Sequence, residues 1–168
     1  AVIPIPYVID IESKSFKERE GLLFLGNYKH TPNVDSLEYF IKDIFPIIRK
    51  ELPDLKLYVI GSNISDKLTL LCNININCVL LGYVKDLTPY LSSCKIMVSP
   101  LRYGAGIKGK IITSMLSSLP VVTTSIGAEG MFTAEDPELL IGDSPLDFAA
   151  HVIDLYQNQT RWNDLSRK

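Results

Sequence analysis

Lys95-Ile-Met-Val-Ser-Pro-Leu-Arg-Tyr-Gly-Ala-Gly-Ile-Lys-Gly-Lys-Ile-Ile-Thr113 runs from a short apolar stretch, through a loop, into a helical pattern. Residues 96–98 read as a strand and 107–118 as the helix that follows it. The loop between them holds Pro100, the three glycines Gly104, Gly106 and Gly109, and the three cations Arg102, Lys108 and Lys110. Glycines let backbone amides approach a ligand, and a helix N-terminus adds partial positive charge. A loop of this composition is suited to phosphate oxygens.

The same unit recurs on both sides of it. Leu22-Leu-Phe-Leu25 is a continuously apolar run closed by Gly26, as expected of a strand buried on both faces. Thr31 and Pro32 suit an N-cap and first helical position, and apolar residues then recur at Val34, Leu37, Phe40, Ile41, Ile44 and Phe45. Pro46 kinks or restarts that helix, which continues toward Leu52. Strands are expected at 55–60, 78–81, 120–124 and 138–141, with helices at 65–72, 86–93, 146–156 and from 161 to 167. Strand and helix alternate throughout, which implies a Rossmann-like α/β three-layer sandwich of about six parallel strands flanked by helices. Ligands of such sheets bind outside the carboxyl ends of the strands. Gly26, Gly61, Gly82, the central trio, Gly127 and Gly130 all follow strands, so they gather on that edge.

At 168 residues the chain suits one domain with a sizeable core. Residues 1–20 read as a linker remnant: Val2–Ile11 is apolar but broken by Pro4 and Pro6, and 14–20 is charged and expected to loop out. The domain itself is expected over 21–168. Hydrophobic content of 46%, charged content of 21% and a net charge of -2 describe an ordinary soluble protein and argue against a general nucleic-acid binder. Cys72, Cys78 and Cys94 lack metal-ligand spacing and are odd in number, so they are expected to be reduced thiols in a cytoplasmic protein. No apolar run approaches the roughly 18 residues of a membrane span, and Ala1-Val-Ile-Pro-Ile-Pro6 lacks the pattern of a signal peptide.

Two familiar phosphate motifs overlap the central loop. Gly104-Ala-Gly-Ile-Lys-Gly109 spells G-x-G-x-x-G, but a dinucleotide fingerprint opens the first strand-to-helix turn, and this is the fourth. Gly104 to Lys110 spells G-x-x-x-x-G-K, yet Ile111 stands where a P-loop needs a hydroxyl on magnesium.

The stretch from Pro100 to Val122 resembles the donor-binding motif of retaining GT-B glycosyltransferases, in the glycosyl transferases group 1, glycogen-synthase-like superfamily. Three other stretches are similar to that family: Phe24–Asp35 to its first strand and loop, Val79–Leu87 to its base-contacting strand end, and Ser125–Gly130 to the loop after its fifth strand. The resemblance runs from about Val8 to the C-terminus. It implies one half of a GT-B fold, the C-terminal domain that binds the nucleotide sugar. The N-terminal acceptor domain is then expected to be absent from this chain, and residues 1–20 to be the tail of the interdomain linker.

By the same resemblance Lys110 lies on the donor diphosphate, with Lys108 and Arg102 as helpers that stabilise the leaving nucleoside diphosphate. Gly82, Tyr83 and Val84 border the base. Gly26, Asn27, Lys29 and His30 border the cleft from the first loop, Tyr103, Gly104 and Gly106 from the central one. Glu129 and Gly130 lie near the sugar or phosphates. The family's two glutamates, eight positions apart, are replaced by Ala105 and Thr113, so Thr113 stands where a carboxylate meets the ribose. Asn27 and Pro32 stand where an arginine and a lysine often occur. The implied activity is transfer of a hexose from a UDP-, GDP- or ADP-sugar to a glycan or lipid acceptor, as in polysaccharide biosynthesis. No cofactor or metal is expected, and the isolated domain is expected to be inactive without its acceptor half, through which any membrane contact would run. A degenerate nucleotide-binding module is the alternative, and an epimerase of the same architecture a third.

Overall fold

The computed structural model describes residues 14–130 and 140–167. The apolar segment Val2–Ile11 and the first two residues of the expected sixth strand, Glu138 and Leu139, lie outside the described residues.

The chain alternates as its pattern requires. A 3-10 turn, Phe16–Glu18, leads to β1 (Leu22–Leu25), then α1 (Thr31–Tyr39), a π-helical turn (Phe40–Ile44) and α2 (Phe45–Glu51). Next come β2 (Leu57–Ile60), α3 (Asp66–Asn73), β3 (Cys78–Gly82), α4 (Thr88–Ser93) and β4 (Ile96–Ser99). The remainder is α5 (Gly109–Leu116), β5 (Val121–Thr123), α6 (Ser125–Ala128), β6 (Leu140–Ile141), α7 (Pro145–Gln157) and α8 (Gln159–Ser166).

The six strands form one parallel sheet in the order β3-β2-β1-β4-β5-β6. The chain builds outward from β1 to β3, then crosses back and builds the other way from β4. The switch point falls between β1, where Leu22 pairs with Ile96, and β4. Loops leaving these two strands diverge to opposite faces, opening a crevice at their carboxyl ends.

Side chains alternate across the pleat, so each strand feeds two cores. Leu22, Phe24, Leu57, Val59, Ile96 and Val98 face the layer of α1, α2, α3, α7 and α8, where Phe40, Phe45, Phe148 and Trp162 are buried. Leu23, Leu25, Ile60, Met97 and Val121 face the thinner layer of α4, α5 and α6, through Leu91, Ile111 and Ala128. That is the three-layer sandwich expected of continuously apolar strands.

Several boundaries differ from the sequence expectation, each for a local reason. His30, not Thr31, occupies the N-cap of α1, and Pro32 sits in the first turn. Ser65 caps α3 by accepting from Leu68 N at 3.3 Å. Helix α5 is shorter at both ends than 107–118, because Lys108 is not helical and Ser118 adopts a left-handed φ of 53°. The single residue of extra width at Phe40–Ile44 is a π turn placed just before Pro46, where the helix restarts. Helix α6 has no counterpart in the expected elements; Thr124 Oγ1 caps it by accepting from Gly127 N.

Residues 14–20 are not looped out. Arg19 is 1% exposed. Its guanidinium donates to the carbonyls of Lys14, Leu91, Cys94 and Ser117, and lies 5.4 Å from the Trp162 ring centroid. Phe16 meets the same indole edge-on at 5.7 Å, and Trp162 Nε1 donates to Lys95 O. A charged residue thus closes the ends of α4 and α5, with its charge spread over backbone dipoles. Cys72, Cys78 and Cys94 are free thiols, and burial pushes the Cys94 thiol up to about 12.

Phe24 sits at the centre of β1, fully buried, with the Phe40 ring 6.1 Å away. Replacing it by alanine should cost about 3–5 kcal/mol, the usual range for a buried aromatic, read as a fall in the denaturant midpoint at unchanged slope.

Candidate functional site

A cleft of about 690 Å³ opens at the carboxyl ends of β1, β2, β3 and β4. Its floor is Leu25-Gly26 and Ile60-Gly61; one wall is the loop after β1 with the start of α1, the other the loop after β4 with the start of α5. Tyr83, Val84 and Leu87, from the segment after β3, close one end.

The floor depends on a close approach of two backbones. A Cβ on Gly61, whose φ is 151°, would lie 1.6 Å from the carbonyl oxygen of Gly26. Gly61 N also donates to Gly82 O at 2.8 Å, and Gly26 N to Ile60 O at 3.1 Å. The three strand ends are therefore tied level. Asn27 Oδ1 accepts from Lys29 N and from Asn63 Nδ2, which folds the first loop over this floor.

Lys110 lies in the first turn of α5 and its ammonium reaches back to the end of β1. It donates to Leu25 O at 3.1 Å and to Asn33 Oδ1 at 2.9 Å, and is 5.7 Å from the Phe24 ring centroid. Both acceptors are neutral, and no carboxylate pairs with it among the described residues. Burial first, and Lys108 second, pull this amine down to about 8. Thr113 follows one turn later on the same helix face and also lines the cleft.

The expected site residues divide into two groups. Gly26, Asn27, His30, Tyr83, Val84, Tyr103, Gly104, Lys108, Lys110 and Thr113 come together around the cleft. Lys29, Gly82, Gly106, Glu129, Gly130 and Arg102 do not line it. Gly82 acts from behind, through its carbonyl on Gly61 N. Glu129 and Gly130 close the far end of α6, beyond β5. Arg102, expected on the diphosphate, turns instead to α1, where Asp35 accepts from Nε at 2.9 Å and from Nη2 at 2.5 Å. Its guanidinium stacks 4.6 Å from the Tyr39 ring centroid.

Asn33, Gly61 and Ser62 belong to the cleft without having been singled out as site residues. Gly61 was visible as a glycine closing a strand. Asn33 carries no local signal; its role appears only when α1 and α5 are side by side. Among the described residues no cluster of His, Cys, Asp or Glu could hold a metal ion, and no helix is long and apolar enough to cross a membrane.

A family model for glycosyl transferases group 1 matches residues 19–158. An uncharacterized 44.6 kDa protein in the cps region of Klebsiella pneumoniae is 31% identical over 145 residues, which is 82% of this chain and 37% of that protein. The fold is also that of TarM from S. aureus, a mutant of which was solved in complex with fondaparinux, alpha-GlcNAc-glycerol and UDP: TM-score 0.73 at 21% identity, over 93% of this chain and 32% of TarM. The C-terminal domain of LpcC, a glycosyl transferase group 1 family protein of Francisella tularensis, superposes with a TM-score of 0.65 at 17% identity, over 90% of this chain and 84% of that domain. The chain thus spans about a third of the first two proteins and most of the third.

Two outcomes follow from the cleft's construction. The unfolded chain holds the Lys110 proton to about pH 10.5 and the folded chain only to about 8, so between these values the unfolded state binds more protons. Stability should therefore rise with pH across that window, and Lys110→Met should flatten the rise in denaturation curves taken at pH 7.5 to 10.5. Gly61→Ala should lower the melting temperature sharply, because backbone rather than a side-chain tip must move.

Proposed function

The chain belongs to the glycosyl transferases group 1 family, and from that premise we propose that its cleft binds a nucleoside-diphosphate sugar as the donor of a hexosyl transfer. The observation that carries this reading is Lys110: a lysine drawn out of water beside neutral acceptors only, at the switch point of a parallel sheet. Holding a cation there without a counter-charge is unfavourable until an anion arrives.

In this reading the diphosphate lies over the start of α5, met by Lys110, Lys108 and the first amides of the helix. The base lies toward Tyr83, Val84 and Leu87, where Tyr83 is 75% exposed and available to a flat ring. Thr113 offers a hydroxyl to the ribose. As the glycosidic bond to the donor breaks, charge grows on the departing diphosphate. Fixed cations and amide dipoles stabilise it without a metal ion. The transfer retains anomeric configuration, UDP, GDP or ADP is the carrier, and a glycan or lipid acceptor is held by a further domain. The last three statements rest on the family resemblance. TarM, solved with UDP, and the LpcC C-terminal domain, similar over most of its length, lend the reading support.

A second reading is favoured by Ala105 and Thr113, which stand in place of the family's two glutamates: a module that keeps the fold and binds nucleotide weakly. Calorimetry with UDP, GDP and ADP decides between them. Micromolar binding to one of the three supports a working donor site; none below millimolar supports the degenerate module. Lys110→Ala should weaken binding by about 1.5–3 kcal/mol, the range for a hydrogen bond to a charged group. Affinity of the wild type should fall as pH rises through about 8, because the proton that makes Lys110 a cation is then lost.

A further inference from the structure

We propose that Arg102 is a positioning residue, which latches the loop after β4 to α1 so that Lys108 and the start of α5 face the diphosphate. This inference rests on the donor-site reading of the cleft, which it deepens.

The geometry assigns the latch two halves. On the α1 side, Asp35 takes both forks of the Arg102 guanidinium, and the Tyr39 ring backs it. The Nε–Nη2 edge and one face of the guanidinium are thus turned toward α1, which fixes its plane and points it away from the cleft. On the β5 side, Thr124 Oγ1 donates to Leu101 O at 2.5 Å, and the same hydroxyl caps α6. Two residues beyond Arg102, Gly104 adopts a φ of 125° and passes Pro32 closely enough that a Cβ there would stand 3.5 Å from the proline ring. Leu101 is buried and Gly104 half-buried, and Arg102, though exposed, is tied to α1, whereas no such tie holds the exposed Ala105, Gly106 and Ile107 among the described contacts. The loop has a fixed root and an open tip. Lys108 follows directly, donating to Gly106 O, and Lys110 is pinned by Asn33. Pro32, Asn33, Asp35 and Tyr39 all belong to α1. One helix therefore holds the cations on either side of Lys108, through contacts 67 residues apart for Arg102 and 77 for Lys110.

The alternative is that Arg102 leaves Asp35 and binds phosphate itself. A double-mutant cycle separates the two. Arg102→Gln, Asp35→Asn and the double variant are compared by calorimetry, using whichever of UDP, GDP and ADP the wild type binds best and the matching nucleoside. A latch predicts that each single change weakens the diphosphate about fivefold, as expected of a well-formed exposed pair. It predicts that the double variant is no weaker than either single, and that the nucleoside, which carries no phosphate, is unaffected. Asp35→Asn that leaves diphosphate binding intact or tighter, while Arg102→Gln weakens it, overturns the latch and makes Arg102 a direct ligand. So do losses that add in the double variant. Amide exchange at residues 101–108 supplies an arm that needs no ligand. Exchange should quicken to the same extent in all three variants, and unchanged exchange overturns the proposal. If the wild type binds none of the three nucleotides, the donor-site reading fails while the exchange arm still judges the latch.

Discussion

The ammonium of Lys110, lodged between the last carbonyl of β1 and the side chain of Asn33, is the contact on which the site depends. It joins the end of a strand, the first turn of α1 and the first turn of α5 at a single point. Several other cations of the domain meet carboxylates. Lys42 and Lys67 share Glu38, Arg161 meets Asp154, and Arg102 meets Asp35. Lys110 is satisfied in hydrogen bonding yet unmatched in charge. What sets it apart from Arg19, whose described hydrogen bonds also go to neutral carbonyls, is that Lys110 lines an open cleft rather than closing a packed core.

The sheet makes the arrangement available. Because the strand order reverses between β1 and β4, the loops after those strands part, and α1 and α5 begin on either side of the opening. The level floor then requires Gly61, whose backbone lies where any side chain would strike Gly26 O. The apolar alternation that anchors the strands fixes this geometry from below, through Phe24 and Val59 on one face and Leu25 and Ile60 on the other.

Most of the architecture was legible in the sequence because buried parallel strands are short apolar runs bounded by glycine, a pattern that needs no tertiary information. What escaped were contacts between distant residues. The charged run before Gly21 looked like a linker because the acceptors that bury Arg19, the carbonyls at the ends of α4 and α5, are remote in sequence. The pairing of Arg102 with Asp35 gave no sign in the sequence either, because the two are remote along the chain. Asn33 was invisible for the same reason. Lys108 and Lys110 could be placed on the rim of the cleft from the strand-loop-helix order, while Tyr83, Val84 and Thr113, which also line it, were reached through the family resemblance.

The π turn at Phe40–Ile44 has a consequence for how such a helix is aimed. It inserts one residue between the end that faces the cleft, carrying Pro32, Asn33 and Asp35, and the end that packs Phe45 and Ile48 into the core. A one-residue offset turns a helix by about 100°, so the two ends are phased independently. Phe40 lies in the turn itself and packs on both Phe45 and Phe148, so the aromatic cluster spans the junction between the two ends. The helix is thereby a jointed rod, in which the residues at the cleft and those in the aromatic core each keep their own facing along one continuous backbone.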